Sequence, residues 1–570
     1  MSHHLVFRLS HVLSSCALLL SVAACAEEEV LVDPEGAYEE GPPLGFADGK
    51  ADGVRVPAYD PLPEGARLDA PFQVLFAPDD PVTTIELALI DEVIAARAAD
   101  GGEYEEGGNP FRIRYAVYNL RNPTIVGRLI EAEREGVDVQ ILIEAGQLAP
   151  EKTWNTADEA IVDAGLELVE DARDLTEEQR ATADLIGVDR SGLMHLKARL
   201  FEYPGGRALL TGSINPGDNA VLNEETLHLI RDPRLVLKYA DAYNGVLRGT
   251  TFVNAWDEEA GINALFTPTG EGPRPVEKVF EWLEEEQEQI LLMVFSLRDI
   301  SAPGHDDSLV EVLVRKARAG VPVYVITDRK QSDGVDADGN KVWYDDWTED
   351  RLRDGGVHVY EAVNTAGPFN AMHHKVGVLG RTNVRVITDA ANWTKAGLGD
   401  RRRKARNVES QLFIDSARLG DPTVGRRYLA QWLRVLDRYA GQEANAGEPT
   451  AAQARAELMG APGWPTLGVT FEAEVETRFG ESVHVRGAHE ELGDWGRSHD
   501  GVALTTGEET YPVWSSVDAV GMPLGAIFAW KLVVSGEGRV RWEEGDDRVD
   551  EVALPALLTH DVSHHVASWR

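Results

Sequence analysis

Cysteine is almost absent from this chain: only Cys16 and Cys25 occur, both near the start. Nothing further along can supply a disulfide framework, a thiolate nucleophile or a Cys-ligated metal centre. Positive charge is scarce as well, with 55 Lys and Arg against 96 Asp and Glu and a formal net charge of -41. Such a field repels nucleic acid and anionic membrane surfaces at long range, although it leaves room for a basic pocket. It argues against a protein that coats DNA and is compatible with a saline habitat. Long apolar runs are missing too: the one marked run, Val12 to Ala24, is too short to span a bilayer as a mature helix. What is present is an ordinary apolar content of 43% in 570 residues, enough for about three domains that each bury a core.

The N-terminal 24 residues read as an export signal, and residues 25–68, acidic and rich in Gly and Pro, as a flexible tether. The run ending Val22-Ala23-Ala24-Cys25 resembles the lipobox of bacterial lipoproteins. That resemblance implies cleavage before Cys25, diacylation of its thiol and loss of Cys16; an ordinary secretory signal is the alternative.

Two halves of matching order follow, 69–257 and 258–443. In the first, a helical pattern around Ile85 to Ile94 precedes a strand (Phe111 to Leu120), a helix (Thr124 to Glu135) and a strand (Val137 to Glu144). The second has a helix (Val276 to Gln289), a strand (Ile290 to Leu297), a helix (Leu309 to Ala319) and a strand (Val321 to Asp328). Gly136-Val137 aligns with Gly320-Val321, each closing a helix and opening a strand. The alternation predicts an α/β fold: two repeated domains, each a mixed, largely parallel sheet flanked by helices. After a Gly/Ala/Pro-rich linker over 444–464, residues 465–570 alternate apolar and polar positions between turns, which predicts an all-β sandwich.

The duplication extends to chemistry. Met194-His195-Leu196-Lys197 is followed by Gly212-Ser213-Ile214-Asn215 and Asn223-Glu224-Glu225. Met372-His373-His374-Lys375 is followed by Asp389-Ala390-Ala391-Asn392 and Asn407-Val408-Glu409. His and Lys two apart at a strand start point the same way, and a hairpin return brings Asn215 or Asn392 beside them. Cleaving a phosphodiester takes a nucleophile, a proton donor for the leaving oxygen, and cations or amides on the non-bridging oxygens. Imidazoles titrating near neutrality suit the first two roles, and Glu225 and Glu409 are placed to orient them.

These residues resemble the phospholipase D superfamily, over roughly Pro71 to Tyr439. The resemblance implies that His195 attacks to form a phosphohistidine and that His373 protonates the leaving alcohol. Lys197, Lys375, Ser213, Asn215 and Asn392 then hold the phosphate, with no metal or cofactor required. Both repeats lie in one chain, so a monomer suffices. The chain departs from the family pattern at Glu202 and Gly380, where an aspartate is usual, and at Asp389-Ala390, where Gly-Ser is usual. Arg401-Arg402-Arg403-Lys404, between Asn392 and Glu409, reads either as a solvated loop or as a rim that meets phosphate-rich substrates. The acids of Asp333 to Asn340 hint at calcium, but Gly334 and Val335 break the EF-hand spacing and a turn-rich loop is favoured.

From about Pro465 the chain resembles starch-binding modules of carbohydrate-binding family 20, through Gly480-Glu481, Leu492-Gly493-Asp494-Trp495, Tyr511-Pro512-Val513-Trp514, Phe528-Ala529-Trp530-Lys531 and Trp542-Glu543. The resemblance implies an α-glucan site of Trp495 and Trp542 with Lys531, Glu543 and Asp547 as polar contacts, and a second site at Phe479 and Tyr511. Sugar faces stack on such rings. Trp514 and Trp569 read as core. The expectation is thus a lipid-anchored protein of the cell envelope, periplasmic or on the outer surface. It would cleave or transfer phosphodiesters, foremost phospholipid head groups, while held to α-glucan. A nuclease of the same superfamily and a non-catalytic glucan-binding lipoprotein are the alternatives; nucleic acid is disfavoured by the charge.

Overall fold

The computed structural model describes residues 61–104, 108–148, 157–176, 178–217, 220–334, 347–367, 370–496, 501–536, 538–557 and 562–570. The chain divides into two units, Met1–Gly41 and Pro42–Arg570, and every described residue belongs to the second. The expected signal, Cys25 and most of the tether lie outside the described residues, as does the loop from Val335 to Asn340.

The first half forms β1 (Phe72–Ala77), β2 (Arg112–Val117), β3 (Asp138–Glu144), β4 (Leu168–Val169), β5 (Leu185–Val188), β6 (Ala198–Tyr203), β7 (Gly206–Gly212) and β8 (Glu225–Ile230). The second forms β9 (Phe252–Val253), β10 (Ile262–Thr267), β11 (Thr269–Glu271), β12 (Ile290–Val294), β13 (Val323–Asp328), β14 (His358–Ala362), β15 (Lys375–Leu379), β16 (Arg385–Asp389) and β17 (Glu409–Asp415). One sheet runs β1-β8-β7-β6-β2-β3-β5-β4 and the other β10-β17-β16-β15-β12-β13-β14, so the two orders superimpose strand for strand up to β5 and β14.

The sheets are mixed, but not largely parallel. Parallel pairing is confined to β2, β3, β5 and β4 in one and to β12, β13 and β14 in the other. The remainder is antiparallel, because the segments that carry His, Lys and Asn return through tight turns such as Tyr203-Pro204-Gly205-Gly206. Helix punctuation follows the sequence. Asn122 caps α1 (Pro123–Arg134), and Ser308 with Glu311 forms a capping box on α2 (Leu309–Arg318). Gly136 and Gly320, at φ of 81° and 89°, each turn the chain from helix to strand.

Strand alternation builds the layers. Leu291 and Met293 of β12 join a central core shared by the two halves, while Ile290, Leu292 and Val294 face an outer core with α2. On the other side Ala198 and Leu200 face the centre and Phe201 faces outward. The helix α3 (Pro422–Tyr439) crosses the centre, burying Tyr428, Trp432 and Leu436.

The C-terminal module comprises β18 (Thr466–Glu474), β19 (Ser482–Gly487), β20 (Val502–Thr505), β21 (Val513–Ser516), β22 (Val520–Pro523), β23 (Ile527–Gly536), β24 (Arg539–Trp542), β25 (Arg548–Glu551) and β26 (Val562–Ser568). It is all-β and antiparallel apart from the β18–β26 pair. The stretch read as a linker is ordered. It holds the helix Ala451–Met459, capped by Thr450, whose Arg455 bonds to Asp437 and to the Gly525 carbonyl. Trp464 Nε1 donates to the Leu524 carbonyl at 2.9 Å, and Arg434 pairs with Glu551 at 2.7 Å. Leu433, Leu458, Leu467 and Leu524 belong to one apolar cluster, so the module is packed onto the α/β pair.

Candidate active site

Each histidine segment is seated by the opposite half. Met194 bridges Val408, and the His195 amide donates to the Val408 carbonyl at 2.9 Å. Met372 bridges Glu224, and the His373 amide donates to the Glu224 carbonyl at 3.0 Å. This exchange crosses the carboxylates: His195 Nδ1 lies 2.6 Å from Glu409 Oε2, and His373 Nδ1 lies 2.8 Å from both oxygens of Glu225. All four side chains are buried. A carboxylate on Nδ1 holds the proton there and leaves Nε2 as the reactive atom. Lys197 Nζ meets His195 Nε2 at 2.8 Å and Lys375 Nζ meets His373 Nε2 at 2.9 Å, each also donating to its histidine's carbonyl at 3.1 Å. The His-any-Lys spacing therefore places an ammonium on the very nitrogen that would face a phosphorus atom.

Asn215 follows β7 and Asn392 follows β16, at equivalent places in the two hairpins; the buried Asn215 Oδ1 accepts no hydrogen bond from a described residue. The Ser213 hydroxyl donates to Glu225 Oε2 at 2.6 Å and accepts from the Thr226 amide at 2.8 Å, so it braces the carboxylate behind His373. Ala390 offers Glu409 no such hydroxyl, which leaves the two His–Glu pairs chemically unequal.

Asp389, standing where Gly212 stands in the first half, is buried at φ of 116°. A side chain at that φ is strained, and the compensation is visible. Thr211 Oγ1 and Tyr239 OH, both from the first half, donate to its carboxylate at 2.9 and 2.5 Å. The departure at Asp389 thus ties the halves together. Glu202 pairs with Arg114 at 3.6 Å, and Gly380 turns the chain at φ of 76°.

Sequence reasoning missed two further pairs. Glu144 at the end of β3 accepts the Met194 amide at 2.6 Å, and Asp328 at the end of β13 accepts the Met372 amide at 3.2 Å. Tyr118 packs on His195 with ring centroids 5.4 Å apart, and Phe295 on His373 at 4.6 Å. The signal existed in both cases: the aligned strands both end in an acid, and both preceding strands run into an aromatic residue. Glu224 is pushed up to about 7, chiefly by burial, against the opposing pull of Arg438. His374, buried beside Thr226, is held well below the usual imidazole range, first by burial and then by the charges of Arg438, His373 and Lys375.

Asp333, Glu349 and Glu361 bring carboxylate oxygens within 4.8 Å of one another, the one described group with cation-ligand spacing. Arg353 bonds Glu361 at 2.9 Å and Arg329 bonds Asp333 at 3.2 Å, so protein cations already neutralise much of it.

In the module, Trp495 and Trp542 lie 6.0 Å apart, inclined at 46°, with Trp542 40% exposed. Asp494 and Trp495 adopt positive φ in a tight loop, where Trp495 is half-buried. Lys531 donates to the Gly545 carbonyl at 2.6 Å and sits 3.6 Å from Asp547. Glu543 is a correction: it is buried, its oxygens accepting from the Leu532 amide at 3.0 Å and from Arg548 at 3.0 and 2.9 Å, so it braces the loop instead of meeting sugar. Phe479 is fully exposed, and the Tyr511 hydroxyl accepts at 3.0 Å from the amide of Thr477, two residues before Phe479. Trp514 is buried, donating to the Val475 carbonyl at 3.0 Å.

Comparison with known proteins matches both parts. The family described as "Cardiolipin synthase, PLD-like domain" matches residues 111–247 and 279–424, and "Starch binding domain" matches 466–556. An α-amylase of Streptomyces violaceus is 35% identical over 92 residues, which is 16% of this chain and 15% of that one, so the chain spans only a small part of that relative. Among solved structures, the phospholipase D family member Nuc from Salmonella typhimurium is 17% identical, covering 31% of this chain and 95% of Nuc with a TM-score of 0.23. The family 20 module of a maltotetraose-forming amylase from Pseudomonas saccharophila is 25% identical, covering 18% of this chain and all of that module with a TM-score of 0.15.

Proposed function

We propose, from the match of residues 111–247 and 279–424 to the PLD-like domain family and of 466–556 to the starch-binding domain family, a phosphodiesterase of the phospholipase D superfamily that works through a covalent phosphohistidine. One observation carries the reading: two buried imidazoles, each with a carboxylate of the opposite half on Nδ1 and a lysine on Nε2. Substrate phosphate draws the two ammonium groups from the imidazoles onto its non-bridging oxygens. As Lys375 leaves it for the phosphate, His373 Nε2 takes up a proton from solvent; neutral His195 Nε2 then attacks phosphorus, the P–O bond to the leaving alcohol breaks, and the alkoxide takes that Nε2 proton from the His373 imidazolium. Water, deprotonated by the same nitrogen of His373, next attacks phosphorus; the P–N bond breaks and the phosphate monoester leaves. A second alcohol in place of water gives transfer. The buried carboxylates favour the imidazolium character that develops, and the lysines offset the charge on the pentacoordinate phosphorus.

Phospholipid head groups are the proposed substrates, with the chain tethered through Cys25 in the cell envelope and held to α-glucan by the module. The test offers phosphatidylcholine, phosphatidylglycerol and single-stranded DNA in the presence of chelator, with His195→Ala beside the parent. Choline or glycerol release that vanishes in the variant supports the reading. Cleavage of DNA alone moves it to a nuclease. Silence on all three leaves the starch-binding module as the guide to function.

A further inference from the structure

The connection from Asn392 to Glu409 is longer than its counterpart from Asn215 to Glu225, and the added length holds the basic run. Both of its ends are site residues. Its start is pinned to the C-terminal side of β12, with the Trp393 amide donating to the Ser296 carbonyl at 3.2 Å and the Arg401 amide to Ser301 Oγ at 3.4 Å. Its close is pinned to the His195 segment of the other half. There Asn407 Oδ1 accepts the Leu193 amide at 3.1 Å, and Gly192 lies so close that a Cβ would sit 2.4 Å from the Arg406 backbone.

Between these anchors the backbone is held in one shape. Asp400 Oδ1 accepts the amides of Arg402 and Arg403 at 2.8 and 2.7 Å, and Arg274 reaches across to the Asp400 and Arg403 carbonyls at 2.5 and 2.9 Å. Lys404 is spent on the Thr269 carbonyl at 2.8 Å. Arg401, Arg402 and Arg406 are different: they are exposed, and no carboxylate of a described residue pairs with them. In a chain of net charge -41, a braced loop that runs between Asn392 and Glu409 and leaves three guanidinium groups without a described carboxylate partner is a local reversal of the field. A loop ordered before ligand arrives loses little entropy on engaging it.

We infer that this loop reads a second phosphate, flanking the scissile one, and so selects multiply charged phosphodiesters over diesters with neutral flanks. Guanidinium forks match phosphate oxygens in pairs, and they act outside the reacting atoms as a binding and steering element. The inference rests on the phosphodiesterase reading for its catalytic arm and on geometry alone for its binding arm.

The test compares the full chain with Arg401→Gln/Arg402→Gln. Neither residue is part of the imidazole machinery, so turnover of bis(p-nitrophenyl) phosphate stays within about twofold. For an oligo(glycerol phosphate), a cardiolipin vesicle or a single-stranded oligonucleotide, whichever the parent prefers, kcat/KM falls about tenfold through KM. The slope of log kcat/KM against log salt becomes shallower by about one. The preferred polyanion names the source of the second phosphate. Calorimetric affinity for tripolyphosphate, which needs no turnover, weakens by a similar factor. An equal loss on bis(p-nitrophenyl) phosphate, or an unchanged tripolyphosphate affinity, overturns the inference. A parent inert towards every diester removes the phosphodiesterase reading, while tripolyphosphate binding still decides the loop.

Discussion

Because the His–Glu pairs are crossed, a substitution in one half disables the histidine of the other. Glu409→Gln keeps a hydrogen-bonding group 2.6 Å from His195 Nδ1 but removes the charge, in a place where both side chains are buried. Hydrogen bonds to charged groups are worth about 1.5–3 kcal/mol. At about 1.36 kcal/mol per tenfold, that is a loss of about 10- to 150-fold in the step that builds charge on His195. With a p-nitrophenyl leaving group, which departs without acid assistance, Glu409→Gln suppresses the nitrophenolate burst while Glu225→Gln leaves it and slows the later turnover. Selective 15N-histidine labelling supplies a readout independent of activity. In Glu409→Gln the Nδ1 proton of His195 moves and that of His373 does not; Glu225→Gln does the reverse. Should Glu409→Gln disturb His373 and spare His195, the crossed arrangement is wrong and the argument for a composite site falls with it.

Other consequences are as direct. Asp389→Ala removes the acceptor for Thr211 and Tyr239, two buried donors, and is expected to cost about 2–4 kcal/mol in urea unfolding; Asp389→Asn recovers part of it. Ser213→Ala lowers stability by about 1–2 kcal/mol, since Glu225 and the Thr226 amide lose a partner, whereas bis(p-nitrophenyl) phosphate affinity is unchanged if the hydroxyl does not touch phosphate. His374 titrates well below 6.5 in the fold, so below that pH the unfolded chain binds the extra proton. Its contribution is whole above about 6.5 and is lost as pH falls, by about 1.4 kcal/mol per unit. Glu224, raised to about 7, acts with the opposite sign, so the effect is read as the difference in acid unfolding between the parent and His374→Leu. Truncation at Gly460 uncovers Leu433 and Leu458 beneath the module; the full chain unfolds in one thermal transition and the truncated chain at lower temperature.

Much of the site was legible because its chemistry is local in sequence. His and Lys two apart, an Asn at the end of a returning strand and an Asn-any-Glu after it are set by strand period and hairpin geometry, and their repetition announced two halves. The order of helices and strands was legible for the same reason, since periodicity and the glycines at 136 and 320 act within a few residues. Register, pairing direction and solvent exposure were less so. The antiparallel portion of each sheet depends on which strands become neighbours, and Glu543 reads as a sugar contact until Arg548 and the Leu532 amide are found around it.

By itself, then, the amino-acid order determined which side chains make up the His-Lys-Asn-Glu set and that the set occurs twice. Only tertiary structure decided who serves whom. Glu409 and His195 are 214 positions apart, as are Arg438 and Glu224, and no local pattern encodes such a choice. The crossing arises because two like sheets share one apolar core, so each histidine segment finds its backbone and carboxylate partners on the opposite half. The same burial spends Ser213 on Glu225 and lets Asp389 stand where glycine stands in the other half, with two hydroxyl donors from across the interface to hold it.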